Sequence, residues 1–211
     1  MLRSMFPEEH ICANCGEKIE TEVLACALSC GPSDLDGRPD FPARYDLIEK
    51  CVTCCPVCGY CGTDIERPVG NLSGYLKSEE YLTCEDHKFS SSDTVKYYRS
   101  ALLCLKREEY SKAFYAFLDA AWTCDDENDT ENAAMCRRKA LAVYDSYREE
   151  DEWKPDTELI VIDLLRRTEQ FLPAIRKARE YKTMDSFKQR ILDYQITLSQ
   201  NKDSGCHNAD I

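Results

Sequence analysis

The chain has 211 residues, 14 of them cysteine, and a formal net charge of −12 at neutral pH, enough for one large domain or two small ones. Lys and Arg form no basic stripe, which argues against binding to nucleic acid or to an anionic membrane, because both need clustered cations. The first ten residues lack the apolar stretch of a signal peptide, and the longest early apolar run, Val23–Leu28, is too short to cross a bilayer. These features predict a cytoplasmic protein.

In that compartment, so many cysteines indicate metal ligands and buried thiols rather than disulfides. Nine of them lie between Cys12 and Cys61, in a segment that opens with CANCG and closes with CPVCG. Each Cys-x-x-Cys pair can supply two thiolates from one turn, and the Gly that follows permits the positive φ that aims backbone N–H groups at sulfur. The spacing predicts one structural, tetrahedral Zn²⁺ site, with the ligands Cys12, Cys15, Cys55 and Cys58.

The surplus cysteines leave two alternatives open. Cys51 with Cys54, and Cys58 with Cys61, repeat the Cys-x-x-Cys spacing, and CPVC (Cys55–Cys58) and CGYC (Cys58–Cys61) resemble the motifs of redox enzymes. A thioredoxin-like site needs a βαβ context, which is missing here, so a thiol redox sensor or oxidoreductase is the alternative function. A second metal site is the other alternative, and it would draw on Cys26, Cys30, Cys51, Cys54, Cys61, Cys84 and His87.

In chain order, Glu17–Leu28 fits either a strand or a short helix. Residues 29–42 are dense in Gly, Pro and Asp and predict a loop. No Glu follows at the spacing of a calcium-binding loop, so we expect this loop to be braced by its own side chains instead. Those side chains are Asp34, Asp36 and Arg38. Residues 1–90 are therefore interpreted as a zinc-binding module with a linker.

Residues 91–202 have the pattern of a helical domain. The caps and apolar spacing predict about six helices. They run from Asp93 to about Lys106, Glu108 to Cys124, Thr130 to Arg148, from Pro155, from Pro173 to about Tyr181, and from Asp185 to Gln200. Cys104, Cys124 and Cys136 fall among apolar helix residues and are expected to fill the core. Residues 203–211 are predicted to be a disordered tail.

Part of this domain has the spacing of a tetratricopeptide (TPR) repeat. Small and large side chains alternate at Tyr97, Ala101 and Cys104, and then at Tyr110, Ala113, Phe117 and Ala120. A second set with the same spacing lies 61 residues later, at Phe171, Ala174, Ala178 and Tyr181. Because 61 is not a multiple of the 34-residue repeat, a generic antiparallel bundle is an equal alternative. The predicted fold is α+β and mostly α, with a zinc-ribbon-like module followed by a TPR-like helical bundle.

The order of several motifs resembles an uncharacterised bacterial family, defined by a domain of unknown function (DUF). These motifs are CxxCG, the DLDGRP loop, CPxCGYC, Ala120–Asp126 and Arg137–Ala140, and the resemblance spans about residues 10–180. It implies a bacterial cytosolic protein with a zinc-ribbon-like N-terminus and TPR-like helices. It places the metal ligands at Cys12, Cys15, Cys55 and Cys58, and it implies no activity.

The sequence contains no phosphate-binding loop, HExxH or GxSxG motif, so an enzyme is disfavoured. We therefore expect an interaction or scaffold protein whose helical half presents a groove to a protein or peptide. Six aromatic residues are candidates for the groove lining, although helical spacing favours the core for any one of them. They are Tyr97, Tyr98, Tyr110, Phe114, Tyr115 and Trp122.

Overall fold

The structure is a computed structural model that describes residues 5–24, 31–40, 52–82, 89–151 and 153–211. Helices make up most of these residues, and short strands are confined to the N-terminal part. The predicted class, mostly α with a small β component, is therefore confirmed. Within the described ranges, no helix combines the length and the apolar character that a membrane span requires.

Two antiparallel hairpins form the N-terminal module. Strand β1 (Met5–Ile11) pairs with β2 (Lys18–Leu24), and the very short β3 (Thr53–Cys54) pairs with β4 (Cys61–Gly62). The segment that begins at Glu17 is therefore a strand as far as Leu24, and its remainder lies outside the described residues. Each predicted cysteine pair lies in the turn of one hairpin.

The helices begin with a 3₁₀ helix, Gly70–Lys77, and a single α-turn, α1 (Glu79–Leu82). Six longer helices follow, with boundaries within two residues of those predicted from caps and apolar spacing. They are α2 (Ser92–Lys106), α3 (Tyr110–Asp126), α4 (Thr130–Arg148), α5 (Thr157–Arg167), α6 (Phe171–Glu180) and α7 (Ser186–Gln200). Pro173 is the third residue of α6 rather than its first, because the helix already begins after Gln170.

Three of the turns between helices have the same backbone geometry. Glu108, Asn128 and Glu169 each adopt a left-handed φ of about 60°. In each turn the next N–H bonds back to a carbonyl five residues earlier, at 2.8–2.9 Å, which closes a Schellman cap. The helix pairs α2–α3, α3–α4 and α5–α6 are therefore joined by the same tight turn.

One hydrophobic core runs from the hairpin module into the helices. It joins Cys12, Val52 and Tyr60 of the module to buried residues of helices α2 to α5. The small residues of the TPR-like pattern lie where the helices touch, because Ala113, Ala120 and Ala174 are completely buried. Residues 52–82 are thus packed against the helices, and the two predicted segments share a core.

Polar contacts hold the second hairpin against helix α2 and its flanks. The Tyr81 hydroxyl donates to the Gly59 carbonyl at 2.8 Å. The Arg107 guanidinium donates to the Tyr60 hydroxyl at 3.3 Å and to the Pro68 carbonyl at 3.2 Å. Tyr60 itself is completely buried. The turn of this hairpin therefore has a fixed position on the helical domain.

The loop 31–40 is braced as predicted, but its main partners lie far away in sequence. Within the loop, the Arg38 N–H donates to the Asp36 carboxylate at 3.4 Å, and the Asp34 N–H donates to the Arg38 carbonyl at 2.8 Å. The fully buried Asp36 carboxylate accepts from Arg137 at 3.0 Å and from Arg167 at 3.3 Å. Burial tends to raise the pKa of Asp36, but the two guanidinium groups outweigh it and hold that pKa below its ordinary value.

Asp125 completes this network from helix α3. Its carboxylate accepts from Arg137 at 3.2 Å, from Arg167 at 3.1 Å and from Arg38 at 3.4 Å. Arg38 also pairs with Asp126. Three guanidinium groups therefore face three carboxylates in a largely buried network. It joins three of the motifs on which the family resemblance rests, the DLDGRP loop, Cys124–Asp126 and Arg137.

The C-terminal tail is ordered, which corrects the prediction of disorder for residues 203–211. The Leu35 N–H donates to the His207 carbonyl at 2.9 Å, and the Ala209 N–H donates to the Ser33 carbonyl at 2.9 Å. Leu35 also packs with Ile191 and Leu198 of helix α7. The polar composition suggested disorder, but the tail bonds to the backbone of a loop that sequence alone does not place beside it.

We expect Asp36→Asn to lower the free energy of unfolding by about 3–5 kcal/mol, because it leaves two buried guanidinium groups without a full counter-charge. Chemical denaturation followed by circular dichroism measures this. The matched control is Asp34→Asn in the same loop, which we expect to change stability by less than about 1 kcal/mol. Equal effects of the two substitutions would contradict a central role for the network.

Candidate functional site

The two cysteine turns have the same local structure. In the first, the Cys12 N–H bonds to the Glu17 carbonyl and the Gly16 N–H bonds to the Cys12 carbonyl, both at 2.8 Å. In the second, Cys55 and Gly59 make the equivalent bonds, at 2.8 and 2.9 Å. The two glycines have φ of +78° and +72°, a conformation that strains any residue with a Cβ. Each turn therefore presents two thiols in the way the sequence predicted.

Backbone contacts orient the first turn towards the second. The Ala13 N–H donates to the Ile65 carbonyl at 3.1 Å, and the Ile11 N–H donates to the Glu66 carboxylate at 3.0 Å. Residues 65 and 66 lie three and four residues after the end of β4, so they belong to the second hairpin's side of the module. The first hairpin is thus attached to the same platform that carries the second.

All four predicted thiols meet in one cluster. Their sulfur atoms lie within 4.8 Å of one another. Cys12 Sγ is 3.6 Å from Cys58 Sγ, and Cys15 Sγ is 3.5 Å from Cys55 Sγ. A tetrahedral ion with metal–sulfur bonds of about 2.3 Å needs sulfur–sulfur separations of about 3.8 Å. The cluster therefore has the dimensions of a four-thiolate metal site.

The pKa shifts of three thiols in the cluster show why a bound cation would be favourable. Burial is the main cause that raises the pKa of Cys12. A backbone N–H lowers the pKa of Cys15, but burial and the neighbouring thiols raise it to about 12. Burial also acts on Cys58, where hydrogen bonds from Asn14 and the Tyr60 backbone prevail and lower the pKa to about 7. Crowded thiolates repel one another, and a divalent cation removes that repulsion.

The donor set indicates a structural role. Four thiolates satisfy Zn²⁺ or iron completely and leave no coordination position for a substrate or water. The cluster is also asymmetric in burial, because Cys12 and Cys55 are buried and Cys15 is exposed. A metal bound here would join the two hairpins from the edge of the shared core.

Two of the surplus cysteines form a disulfide rather than joining the cluster. Cys54 and Cys61 face each other across β3 and β4 and form a disulfide, which corrects the expectation that the chain contains none. Antiparallel pairing places these two Cβ atoms close together, and the sequence separation of seven gave no sign of it. The remaining residues considered for a second metal site lie outside the described residues. They are Cys26, Cys30, Cys51, Cys84 and His87.

A cavity of about 640 Å³ lies between part of the hairpin module and the helices. Val52 and Thr63 form its module side, and residues of α2, α3 and α4, with Lys154 from the loop after α4, form the rest. Of the six aromatic residues expected in a groove, Tyr97 and Tyr115 line this cavity, and Tyr147 joins them. Tyr98, Phe114 and Trp122 are core residues, and Tyr110 is partly buried against the same core and does not line the cavity. The cavity lies within the size range of known ligand sites.

Asp119 is a cavity residue that the sequence reasoning missed. It lies on α3, four residues after Tyr115 and three after Ala116, so the three share one helix face. The signal was present as a single acidic residue within the otherwise apolar stretch Ala116–Thr123. An acidic residue at such a position faces either a partner or a cavity.

No protein-family model, curated protein or solved structure matches this chain. The resemblance to the bacterial DUF family and the cytoplasmic location therefore stay predictions. The cysteine cluster and the cavity are the features of the described residues that bear on function.

We expect a metal bound by the cluster to be released on acidification between about pH 7 and pH 5, because protons compete with it for the thiolates. A chromogenic zinc indicator measures the release. Cys55→Ser should lose the metal already at neutral pH, whereas Cys136→Ser, a buried thiol on α4, should retain it. Equal metal content in the two variants would contradict the assignment.

Proposed function

We propose that this chain is a non-enzymatic interaction protein. A structural Zn²⁺ on Cys12, Cys15, Cys55 and Cys58 fixes a zinc-ribbon-like module, and the TPR-like helices dock a protein or peptide. The convergence of the four thiols within 4.8 Å supports the first part most directly. A module this small, with two short hairpins, gains on the order of 10 kcal/mol from such a site.

The position of the cavity supports the second part. The module contributes Val52 and Thr63 to one wall, while helix α3 contributes Ser111, Tyr115 and Ala116 to the other. Antiparallel helix pairs bind extended partners along the surface that their neighbours leave open. Zn²⁺ then has a clear purpose, because it stiffens the module that forms one side of the docking surface.

A random peptide library displayed on phage and panned against the full-length, zinc-loaded chain tests docking. We expect enriched peptides to lose binding at least tenfold to Ser111→Trp, which places a large ring at the cavity mouth. Ser146→Trp on α4 is the matched control, because Ser146 does not line the cavity. Enriched peptides that bind both variants equally, or no enrichment at all, would contradict docking at this surface.

Thiol redox sensing is the second candidate, and the Cys54–Cys61 disulfide is the observation that favours it. Its chemistry would be the two-electron oxidation of two thiols to a disulfide by a peroxide, which is reduced to water. Two other thiols, Cys104 and Cys206, are less suited to redox sensing. Burial raises the pKa of Cys104, and burial with the Asp34 carboxylate raises that of Cys206 to about 12. Raised pKa values keep these two thiols protonated and poorly nucleophilic.

The sensor hypothesis predicts that a glutathione buffer at cytosolic potential reduces the disulfide and that peroxide restores it. Differential alkylation and mass spectrometry follow both states, with Cys54→Ser as the variant that cannot cycle. A disulfide that survives the glutathione buffer in the folded protein rejects the sensor, because structural disulfides resist that potential.

A further inference from the structure

Asp119 is an acidic group in the wall of the cavity for which the described part of the chain provides no hydrogen-bond or ion-pair partner. Burial is the cause that raises its pKa, to about 7. Asp119 itself is half-buried, and it opens on the cavity. A carboxylate in such surroundings is unfavourable unless a cation or a donor pairs with it. A donor or cation that pairs with Asp119 would therefore come from outside the described residues.

Aromatic side chains surround the space that Asp119 faces. Tyr97, Tyr115 and Tyr147 are all in the cavity wall. The Tyr115 and Tyr147 rings pack edge to face with centroids 6.0 Å apart, and both hydroxyls lie within 3.5 Å of Thr157 Oγ1. Aromatic rings beside a carboxylate are a favourable environment for an ammonium or guanidinium group.

The surface next to the cavity mouth is acidic. A second depression, of about 470 Å³, shares Ser111 and Lys112 with the cavity. Its other lining residues are Glu108, Glu109, Glu149, Glu150 and Asp151. Within the described residues, Glu108, Glu149 and Asp151 have no ion-pair partner, and all three are exposed. We call these three residues the acidic rim.

The cations near the cavity do not balance these acids. Lys112 and Lys154 are the basic residues of its wall. The Lys112 ammonium lies 3.6 Å from the Glu109 carboxylate, which also pairs with Arg67 at 2.6 Å. Of the six carboxylates that line the cavity and the adjoining depression, Glu109 is paired in this way and Glu150 accepts from the Tyr110 and Ser111 N–H groups. Asp119 and the acidic rim are left facing Lys154. The site is therefore complementary to a cationic ligand and repels an anionic one.

We infer that the cavity is the recognition pocket for a basic segment of a protein partner. One Lys or Arg side chain enters it and places its cation on Asp119, and the basic residues beside it lie along the acidic rim. This inference rests on the proposed docking function and gives the partner its chemistry. The cavity volume of about 640 Å³ also accommodates the backbone on either side of the inserted residue.

Fluorescence anisotropy with labelled eight-residue peptides tests the inference on the full-length, zinc-loaded chain. The peptides share a Gly-Ser framework and carry three consecutive Lys, Arg, Gln or Glu residues. We expect the Lys or Arg peptide to bind at least tenfold more tightly than the Gln peptide, because a charge-assisted hydrogen bond is lost with Gln. The Glu peptide should bind most weakly.

Asp119→Asn should remove this preference, and it should fold at least as stably as the original chain because it removes an unpaired, half-buried charge. The control is Asp145→Asn, which makes the same charge change at an exposed position of α4. An equal loss in the two variants would mean non-specific attraction to an acidic protein and would overturn the inference. Equal binding of the Lys, Arg and Gln peptides would overturn it while leaving docking intact, and binding of no peptide would remove both.

The pH dependence of peptide affinity separates direct pairing with Asp119 from a purely structural role of this residue. A protonated Asp119 cannot pair with a cation, so affinity for the basic peptide should fall from pH 8 to pH 6, and Asp119→Asn should show no such change. No histidine faces Asp119 in the cavity wall as described. Its other ionisable residues are Tyr97, Cys104, Lys112, Tyr115, Tyr147 and Lys154. A fall of equal size in Asp119→Asn would overturn the assignment.

Discussion

The buried guanidinium of Arg137 is the constraint on which the architecture depends. It bonds to Asp36 of the loop 31–40 and to Asp125 of helix α3, and it is itself only 1% exposed. A buried guanidinium is tolerated only with its counter-charges in place, so the loop, α3 and α4 must adopt their positions together. Arg167 adds α5 to the same set through bonds to both carboxylates. An ionic network therefore fixes how the long loop and three helices meet.

The cysteine cluster has a comparable position in the hairpin module. Neither hairpin has enough apolar surface to be stable by itself, and β3 with β4 contains only four residues. The shared core, the Cys54–Cys61 disulfide and the thiol cluster supply what the strands lack. The module in turn forms one side of the cavity that contains Asp119. Stability of the cysteine turns and the shape of the proposed docking surface are thus connected through Val52 and Thr63.

What the sequence predicted well was local. Capping residues and apolar spacing predict the helix boundaries to within a few residues. The Cys-x-x-Cys-Gly pattern predicts the two cysteine turns. What it did not predict depends on contacts between distant parts of the chain. Asp36 and Arg137 are separated by 101 residues, and the tail pairs with a loop about 170 residues earlier. Asp119 stands out in the sequence as an acidic residue in an apolar stretch, but only the packed module reveals the cavity beside it.

The pairing of the tail with the loop determines the order in which parts of the chain can fold during synthesis. Asp34 and Cys206 are 172 residues apart, which at ~5–20 residues per second corresponds to roughly 10–30 s of translation. Arg137 and Arg167, which neutralise Asp36, follow it by 101 and 131 residues, so Asp36 leaves the ribosome well before its counter-charges do. Both cysteine turns, by contrast, are complete once residue 59 has emerged. The nascent chain can therefore assemble its thiol cluster early, while the loop between the two turns reaches its final position only after the last residues are released.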